Sequence, residues 1–204
     1  MKIPSNELFA VLTAVSFAAG LNVYATVATL GLLAHAGVIQ LPDGLHLLFS
    51  WYVIACSILL FLMEFFADKF PAFDLLWNAL HTFVRVPIAA LLAYAATSQL
   101  SPGLQLLATL MGGSIALAAH GGKIAIRTAV TPSPEPFSNI TLSLGEDVLA
   151  VFLTWLATKH PYIGAMIALA LVLVIVALMR LVVGALRDLL RRVRQEIDLV
   201  FHGV

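Results

Sequence analysis

Residues 162–186 read YIGAMIALALVLVIVALMRLVVGAL and contain a single charged side chain, that of Arg180. About 20 mostly apolar residues in a helix cross the roughly 30 Å hydrocarbon core of a bilayer, so this stretch predicts a transmembrane helix. The whole chain has the same character, because 61% of its 204 residues are hydrophobic and 11% are charged. A soluble domain carries about 25% charged residues, so the composition excludes one.

Five further apolar segments precede this one, and turn-forming residues separate them. They cover residues 8–38, 46–66, 75–97, 103–130 and 140–158. We therefore predict an all-α, polytopic membrane helix bundle of about six spans that occupies residues 1–204 as a single membrane domain. The first segment is too long for one straight span and holds Gly20, Asn22 and Tyr24 near its middle, which predicts a tilted or broken helix.

Two features stand before the fifth span. Residues 131–139 contain three prolines, which predicts a non-helical piece that is either an extended cytoplasmic linker or a re-entrant segment lining a cavity. Ser143 and Glu146 match a capping box, which predicts a helix start at Ser143. A helix from there to Thr158 would be about 24 Å long, and so either half-length or capped at the membrane surface.

The distribution of basic residues predicts the orientation. Five arginines follow or end the last span, and basic residues mark cytoplasmic segments. They are Arg180, Arg187, Arg191, Arg192 and Arg194. We therefore predict that residues 187–204 form an amphipathic, basic, cytoplasmic tail, and with six spans the N-terminus would be cytoplasmic too. The formal net charge is zero, so no nucleic-acid partner is expected and the bilayer is the expected partner.

Six spans divide naturally into two halves, residues 1–99 and 100–186. A unit with three spans inserts its second copy upside down, so an inverted repeat is one prediction, with broken or re-entrant helices near the midplane. A functional site would then lie where the halves meet.

Ionisable and polar residues inside the spans are the candidate site. A charge at the centre of a membrane helix costs at least about 2.5 to 3.5 kcal/mol unless it is paired or faces water. Helical spacing places these residues on single faces of several spans, which predicts polar stripes that face one another. The candidates for a substrate or ion pathway are Glu64, Asp68, Asp74, Asn78, His81, Arg85, His120, Lys123, Arg127, Glu146 and Asp147.

The same residues carry a family resemblance. The block from Glu64 to Pro71, then Asp74 and the sequence from His81 to Arg85, resembles an uncharacterised bacterial integral-membrane family, the domain-of-unknown-function family 4126 (DUF4126). The spacing of His120, Lys123 and Arg127, the 133–139 loop and the pair Glu146 and Asp147 continue the resemblance. It implies a multi-pass protein of the bacterial plasma (inner) membrane and supplies no activity.

Three functions fit these features. The first is a small secondary transporter or permease whose charged cluster binds an anionic solute or a lipid head group. The second is a structural or scaffold protein whose ion pairs hold the bundle in register. The third is an intramembrane enzyme that modifies a lipid, but no compact metal motif and no GxSxG nucleophile is present. We therefore predict no catalytic residues, no metal site and no cofactor, and a homo-oligomer remains open.

Overall fold

A computed structural model describes residues 6–68, 71–130 and 136–202. The helices are α1 (Leu8–Leu21), α2 (Val23–His35), α3 (Trp51–Ala67), α4 (Pro71–Ala96), α5 (Pro102–Val130), α6 (Pro136–Lys159) and α7 (Pro161–His202), with a short 3₁₀ helix at Asp43–Phe49. No β-strand occurs in these described ranges, so the predicted all-α class is confirmed.

Four helices, α4 to α7, are long and apolar enough to cross a membrane. The 3₁₀ helix and α3 form a fifth candidate span that is bent by 66°. Four of the helices begin at a proline, namely α4, α5, α6 and α7. Proline suits the first helical position because its missing N–H would have no partner there in any case. The prediction of a multi-pass membrane bundle is therefore confirmed.

Helix α6 corrects two predictions about its start. It begins at Pro136, so residues 136–139 are helical and not part of a proline-rich loop, while residues 131–135 lie outside the described part of the chain. The predicted helix start at Ser143 is wrong, because Ser143 lies inside α6 and is fully buried. With 24 residues, α6 is about 36 Å long and spans a bilayer without a half-length helix.

The first apolar segment is broken at Asn22, whose backbone is extended (φ −149°, ψ 102°). Helix α1 runs in the same direction as α5. Its contacts advance along α5, from Ser16 beside Gly112 to Gly20 beside Ala116 and Ala119.

Helix α2 turns back towards the end of the bundle where α1 begins. Its Gly31 lies against Ile54, near the start of α3, and His35 stacks on the rings of Phe49 and Trp51. The neighbouring Gly44 lies against Ala95 at the end of α4. Helices α1 and α2 therefore form a re-entrant hairpin with its tip at Asn22 inside the bundle.

This hairpin changes the predicted topology. The segment 8–38 contributes two helices of 14 and 13 residues, about 21 and 20 Å long, instead of one span. Helix α7 runs parallel to α1, because Gly164 lies against Ala14 and Gly122 lies against Ile175 further along. The start of α1 and the end of α7 thus lie at opposite ends of the bundle, an arrangement that differs from the six-span topology on which the prediction of two cytoplasmic termini was based.

Helix α1 is the centre of the packing. It contacts α4, α5, α6 and α7, and all of its residues except Phe9 and Ala10 are buried. Small residues permit this close approach, as they do generally between membrane helices. Helix α7 continues unbroken to His202, and the amphipathic, basic, cytoplasmic tail at residues 187–204 stays a prediction. The division into halves at residues 1–99 and 100–186 stays a prediction. The first half opens with a hairpin and the second with the continuous helix α5.

We expect cysteine labelling to reveal the hairpin. In a background with Cys56→Ser, the variants Asn6→Cys and Ala36→Cys should react with a membrane-impermeant maleimide from the same side of a sealed vesicle. The variant Arg194→Cys should react from the other side, and all three positions are exposed. Labelling of residues 6 and 36 from opposite sides would mean that segment 8–38 is one span.

Gly20 should tolerate no side chain. A methyl group there would lie 2.5 Å from the carbonyl oxygen of Ala116 and 2.7 Å from the Ala119 side chain. We expect Gly20→Ala to cost about 1 to 3 kcal/mol, the usual range for overpacking, and to lower the thermal unfolding midpoint in detergent. The control is Gly145→Ala, where nothing lies within 4 Å of the added methyl group. Equal midpoints for the two variants would argue against the close contact of α1 with α5.

Candidate functional site

The predicted polar faces of α3, α4, α5 and α6 meet inside the bundle around the hairpin tip. Nine of the eleven predicted residues are buried, with exposed fractions of 0% to 6%, and Glu146 is partly exposed. We call the eight that are joined by direct polar contacts the buried cluster. It comprises Glu64, Asp68, Asn78, Arg85, His120, Lys123, Arg127 and Glu146.

Arg85 organises the α4 side of the buried cluster. Its guanidinium pairs with Glu64 of α3 and donates to Asn78 Oδ1 at 3.2 Å and to His120 Nδ1 at 2.8 Å. An arginine cannot accept a hydrogen bond, so His120 Nδ1 is the acceptor. The His120 proton therefore lies on Nε2, which is 3.0 Å from the carbonyl oxygen of Asn78 and 2.9 Å from Thr82 Oγ1. His120 is thus a neutral imidazole that fills the space between α4 and α5.

Lys123 and Arg127, one turn apart on α5, hold the acidic residues of α3 and α6 together. Lys123 Nζ lies 3.2 Å from Asp68 Oδ2, 3.3 Å from Glu146 Oε2 and 3.4 Å from Glu64 Oε1. Arg127 Nη2 lies 3.0 Å from Asp68 Oδ2 and 2.6 Å from Glu146 Oε2. Each basic group is shared between carboxylates, which is the arrangement that makes buried charge tolerable.

The hairpin tip joins the buried cluster at two points. Lys123 Nζ lies 3.4 Å from the carbonyl oxygen of Leu21, the last residue of α1, where the helix dipole is negative. Asn22 accepts a hydrogen bond from the Ala25 N–H at 3.0 Å and so caps α2, while its Nδ2 donates to Asp147 Oδ1 at 2.8 Å. Asn22 thus links the broken backbone to α6.

Two predicted residues lie beside the buried cluster, and the side chain of a third is outside the described part of the structure. His81 Nδ1 is 2.8 Å from the carbonyl oxygen of Trp77, and its Nε2 is 3.0 Å from Tyr24 Oη of the hairpin. Asp147 is 5% exposed, and its carboxylate accepts a hydrogen bond from the Asn22 amide. Nothing is described for the side chain of Asp74.

Among the charged residues described at the site, the acids outnumber the bases. Glu64, Asp68, Glu146 and Asp147 carry four negative charges when ionised, against three positive charges on Arg85, Lys123 and Arg127, so one negative charge is in excess. Glu64, Asp68 and Glu146 each form ion pairs. The uncompensated carboxylate is therefore that of Asp147.

The buried polar atoms that lack a hydrogen-bond partner also include more acidic oxygens than charged donors. Three buried carboxylate oxygens, Glu64 Oε2, Asp68 Oδ1 and Asp147 Oδ2, have no hydrogen-bond partner among the described residues, against one charged donor, Arg85 Nε. A buried polar atom without a partner lowers the free energy of unfolding by about 1 to 3 kcal/mol, and by more when it is charged. A bound proton, cation or water molecule would remove this penalty. Three or more His, Cys, Asp or Glu side chains positioned to hold a metal ion are not found within the described ranges.

Sequence reasoning missed three polar partners from the hairpin and α4. Asn22 and Tyr24 were expected to break the first segment but not to contact the site, and Thr82 gave no signal. The available signal was the placement of Asn22 beside Gly20 in an otherwise apolar run, because a polar side chain at that depth needs a partner. Ser143, expected as a cap, instead donates to Asp68 Oδ2 at 3.4 Å.

The chain matches the model of a known protein family. The model of a family described as a domain of unknown function, DUF4126, matches residues 9–181. No curated protein and no solved structure matches the chain significantly.

Replacing acids by amides should separate paired from unpaired carboxylates. We expect Glu64→Gln to lower the thermal unfolding midpoint markedly, because removing one partner of a buried ion pair costs about 3 to 5 kcal/mol. Asp147→Asn should leave the midpoint unchanged or raise it, because the amide keeps the shape of the side chain and the acceptor for Asn22, and no ion pair is lost. Similar losses for both variants would contradict the assignment of the excess charge to Asp147.

Proposed function

The chain belongs to the DUF4126 family, whose description assigns no activity, and from the geometry we propose that it is a small secondary transporter or permease. Its central site comprises the buried cluster, the hairpin tip at Asn22 and the adjacent Asp147. The exchangeable ion at this site is a proton, which Asp147 takes up and releases.

The observation that carries the proposal is the meeting of a re-entrant hairpin with an uncompensated charge. Irregular backbone at membrane depth is tolerated where it is buried in protein or lines a polar cavity, and transporters use such broken helices at their binding sites. Here the side chain of Asn22, at the break between the two helices, donates a hydrogen bond to Asp147, which forms no ion pair among the four described acids.

A proton or a cation fits this site better than the anionic solute expected from the sequence. Arg85, Lys123 and Arg127 each contact at least one carboxylate, so an anion would have to displace an internal partner. A positively charged ligand would instead meet the unpartnered oxygens of Glu64, Asp68 and Asp147. The anionic solute or lipid head group stays the second possibility for the substrate.

The orientation follows from the basic end of α7. Arg180, Arg187, Arg191 and Arg194 are exposed along this helix, and basic residues favour the cytoplasmic side. We place the end of α7 in the cytoplasm of a bacterium, with the protein in the inner membrane. The start of α1 then lies on the outer side, and the hairpin enters from there.

Proton flux into vesicles tests the proposal. Purified protein is reconstituted into liposomes that contain a pH-sensitive dye, and a potassium diffusion potential, negative inside, drives proton uptake in the presence and absence of a panel of anionic and cationic solutes. We expect the wild-type protein to accelerate internal acidification with at least one solute. Asp147→Asn should reduce the rate to that of protein-free vesicles, because the amide binds no proton.

The control for this variant is Asp43→Asn. Asp43 is an exposed acid that bonds Gln99 at the far end of α4, so its change leaves the buried cluster intact. If Asp147→Asn retains the full wild-type rate with every solute, the transport proposal fails. If no solute produces flux while Glu64→Gln and Lys123→Met still unfold the protein, the ion pairs serve a structural role, as in the scaffold alternative.

A further inference from the structure

The exposed tryptophan and tyrosine side chains lie at one end of the bundle. The chain has three tryptophans and four tyrosines, all within the described ranges, and five of these seven are exposed. Each of the five lies within about 6 Å, measured along its helix, of the bundle end at which α1 begins. We call these side chains the aromatic belt, and they are Trp51, Tyr52, Tyr94, Trp155 and Tyr162.

The side chains of the aromatic belt suit the boundary between hydrocarbon and lipid head groups. Each combines an apolar ring with one polar N–H or O–H group, and membrane proteins carry such rings at this boundary. The bundle itself does not cover them, since Tyr52 is 90% exposed. The aromatic belt therefore indicates the level at which the head groups meet the protein.

The 3₁₀ helix Asp43–Phe49 lies at the same level and runs across the end of the bundle. It is bent by 66° from α3, and Asp43 accepts a hydrogen bond from Gln99 of the α4–α5 loop at 2.6 Å. Two of its leucines are buried against the bundle, whereas Leu47 is 72% exposed. An exposed leucine near an exposed acid fits a short helix that lies in the interface, where apolar and polar surroundings meet.

The distance from the aromatic belt to the exposed basic end of α7 matches the thickness of a bilayer core. Arg180 is exposed and follows Tyr162 by about 27 Å along the unbroken α7. The residues between them carry no charge. The hydrocarbon core is roughly 30 Å thick, and an arginine near its edge extends its guanidinium to the head groups. Tyr162 and Arg180 thus mark the two boundaries of one bilayer.

We propose that the aromatic belt and the 3₁₀ helix form an interaction surface for lipid head groups of the leaflet on the side where α1 begins. The rings bind in the interface of the bilayer, with their N–H and O–H groups towards the head groups. This surface fixes the depth of the bundle, and the depth locates the buried cluster. The placement holds whether or not the protein transports, so it goes beyond the proposed function.

The hairpin tip lies at the middle of the bilayer. Gly164, two residues after Tyr162, lies against Ala14 of α1. Asn22 follows Ala14 by about 12 Å along α1, so the tip is about 15 Å below the aromatic belt. This distance is half the thickness of the hydrocarbon core. The α1–α2 hairpin therefore occupies the half of the bilayer that is nearer the aromatic belt.

The ion pairs lie in the other half. Gly122 of α5 lies against Ile175 of the parallel helix α7, so Arg127, further along α5, is level with Arg180. Lys123 directly follows Gly122 and is about 21 Å below the aromatic belt. The basic residues that hold the acids of α3 and α6 together therefore lie between the midplane and the boundary at Arg180, on the side where α7 ends.

Depth-dependent quenching of tryptophan fluorescence tests this placement. The full-length protein is reconstituted into phosphatidylcholine vesicles in which bromine, a contact quencher, is attached either near the head group or near the end of the acyl chain. The substitutions Trp77→Phe and Trp155→Phe leave Trp51 as the only tryptophan. We expect bromine near the head group to quench Trp51 more strongly than bromine near the chain end, because the ring lies in the interface.

Two matched variants measure the depth of α7. In a background with all three tryptophans replaced by phenylalanine, Leu173→Trp and Leu181→Trp place one indole at positions that are 69% and 70% exposed. They lie about 17 Å and about 29 Å below the aromatic belt. Chain-end bromine should therefore quench Leu173→Trp more strongly, and head-group bromine should quench Leu181→Trp more strongly.

A second measurement keeps the native tryptophans, so it does not depend on the folding of the tryptophan-free variants. In a Cys56→Ser background, nitroxide labels on Leu47→Cys and Leu173→Cys report collisions with oxygen, which concentrates in the bilayer centre, and with a water-soluble nickel chelate. We expect the nickel chelate to relax the label at residue 47 more than the label at residue 173, and oxygen to show the reverse order.

Either of two results would overturn the proposal. If Trp51 or the label at residue 47 gives the depth profile of residue 173, the aromatic belt and the 3₁₀ helix do not lie in the interface. If Leu181→Trp gives the same profile as Leu173→Trp, Arg180 does not mark a boundary, and the ion pairs lie at the bilayer centre.

Discussion

Charge buried in the hydrocarbon layer is the constraint on which the other features depend. Each such charge costs several kcal/mol unless an opposite charge and hydrogen bonds surround it. Helix α5 supplies Lys123 and Arg127 one turn apart, so acids from α3 and α6 must come within reach of the same basic groups. Arg85 and Glu64 extend the pairing to α4. The ion pairs thereby fix the rotation and depth of four helices, and they also bring the uncompensated Asp147 into the interior.

The tip of the α1–α2 hairpin is stabilised by polar side chains of the charged interior. An interruption of a helix inside a membrane leaves backbone N–H and C=O groups without helical partners. Here Lys123 contacts the carbonyl end of α1, and the Asn22 side chain caps α2. The same asparagine bonds Asp147, so a change in the charge of that carboxylate acts directly on the hairpin tip. In the proposed transporter, this hydrogen bond would couple the protonation of Asp147 to the broken-helix element of the site.

The membrane class, the last five apolar segments and most of the charged cluster could be predicted from the sequence. The length of an apolar run indicates a membrane span, and charges at helical spacing indicate a shared helix face. The polar residues on α4 and α5, such as Arg85, Lys123 and Arg127, could therefore be recognised. The hairpin was not, because an apolar run of 31 residues reads the same whether it crosses the bilayer or turns back within it, and only contacts such as Gly20 with Ala116 distinguish the two. Ser143 misled for a similar reason. Its capping pattern is local, and its actual partner, Asp68, lies far away in the chain.

The central claim is that one carboxylate at the hairpin tip lacks a compensating charge and holds an exchangeable proton. Infrared spectroscopy of the reconstituted protein tests it most directly, because a protonated carboxyl group has a C=O stretch that an ionised one lacks. The account predicts such a band at neutral pH in the wild-type protein, its loss in Asp147→Asn and its persistence in Asp43→Asn. Absence of the band in the wild-type protein, or its survival in Asp147→Asn, would contradict the claim.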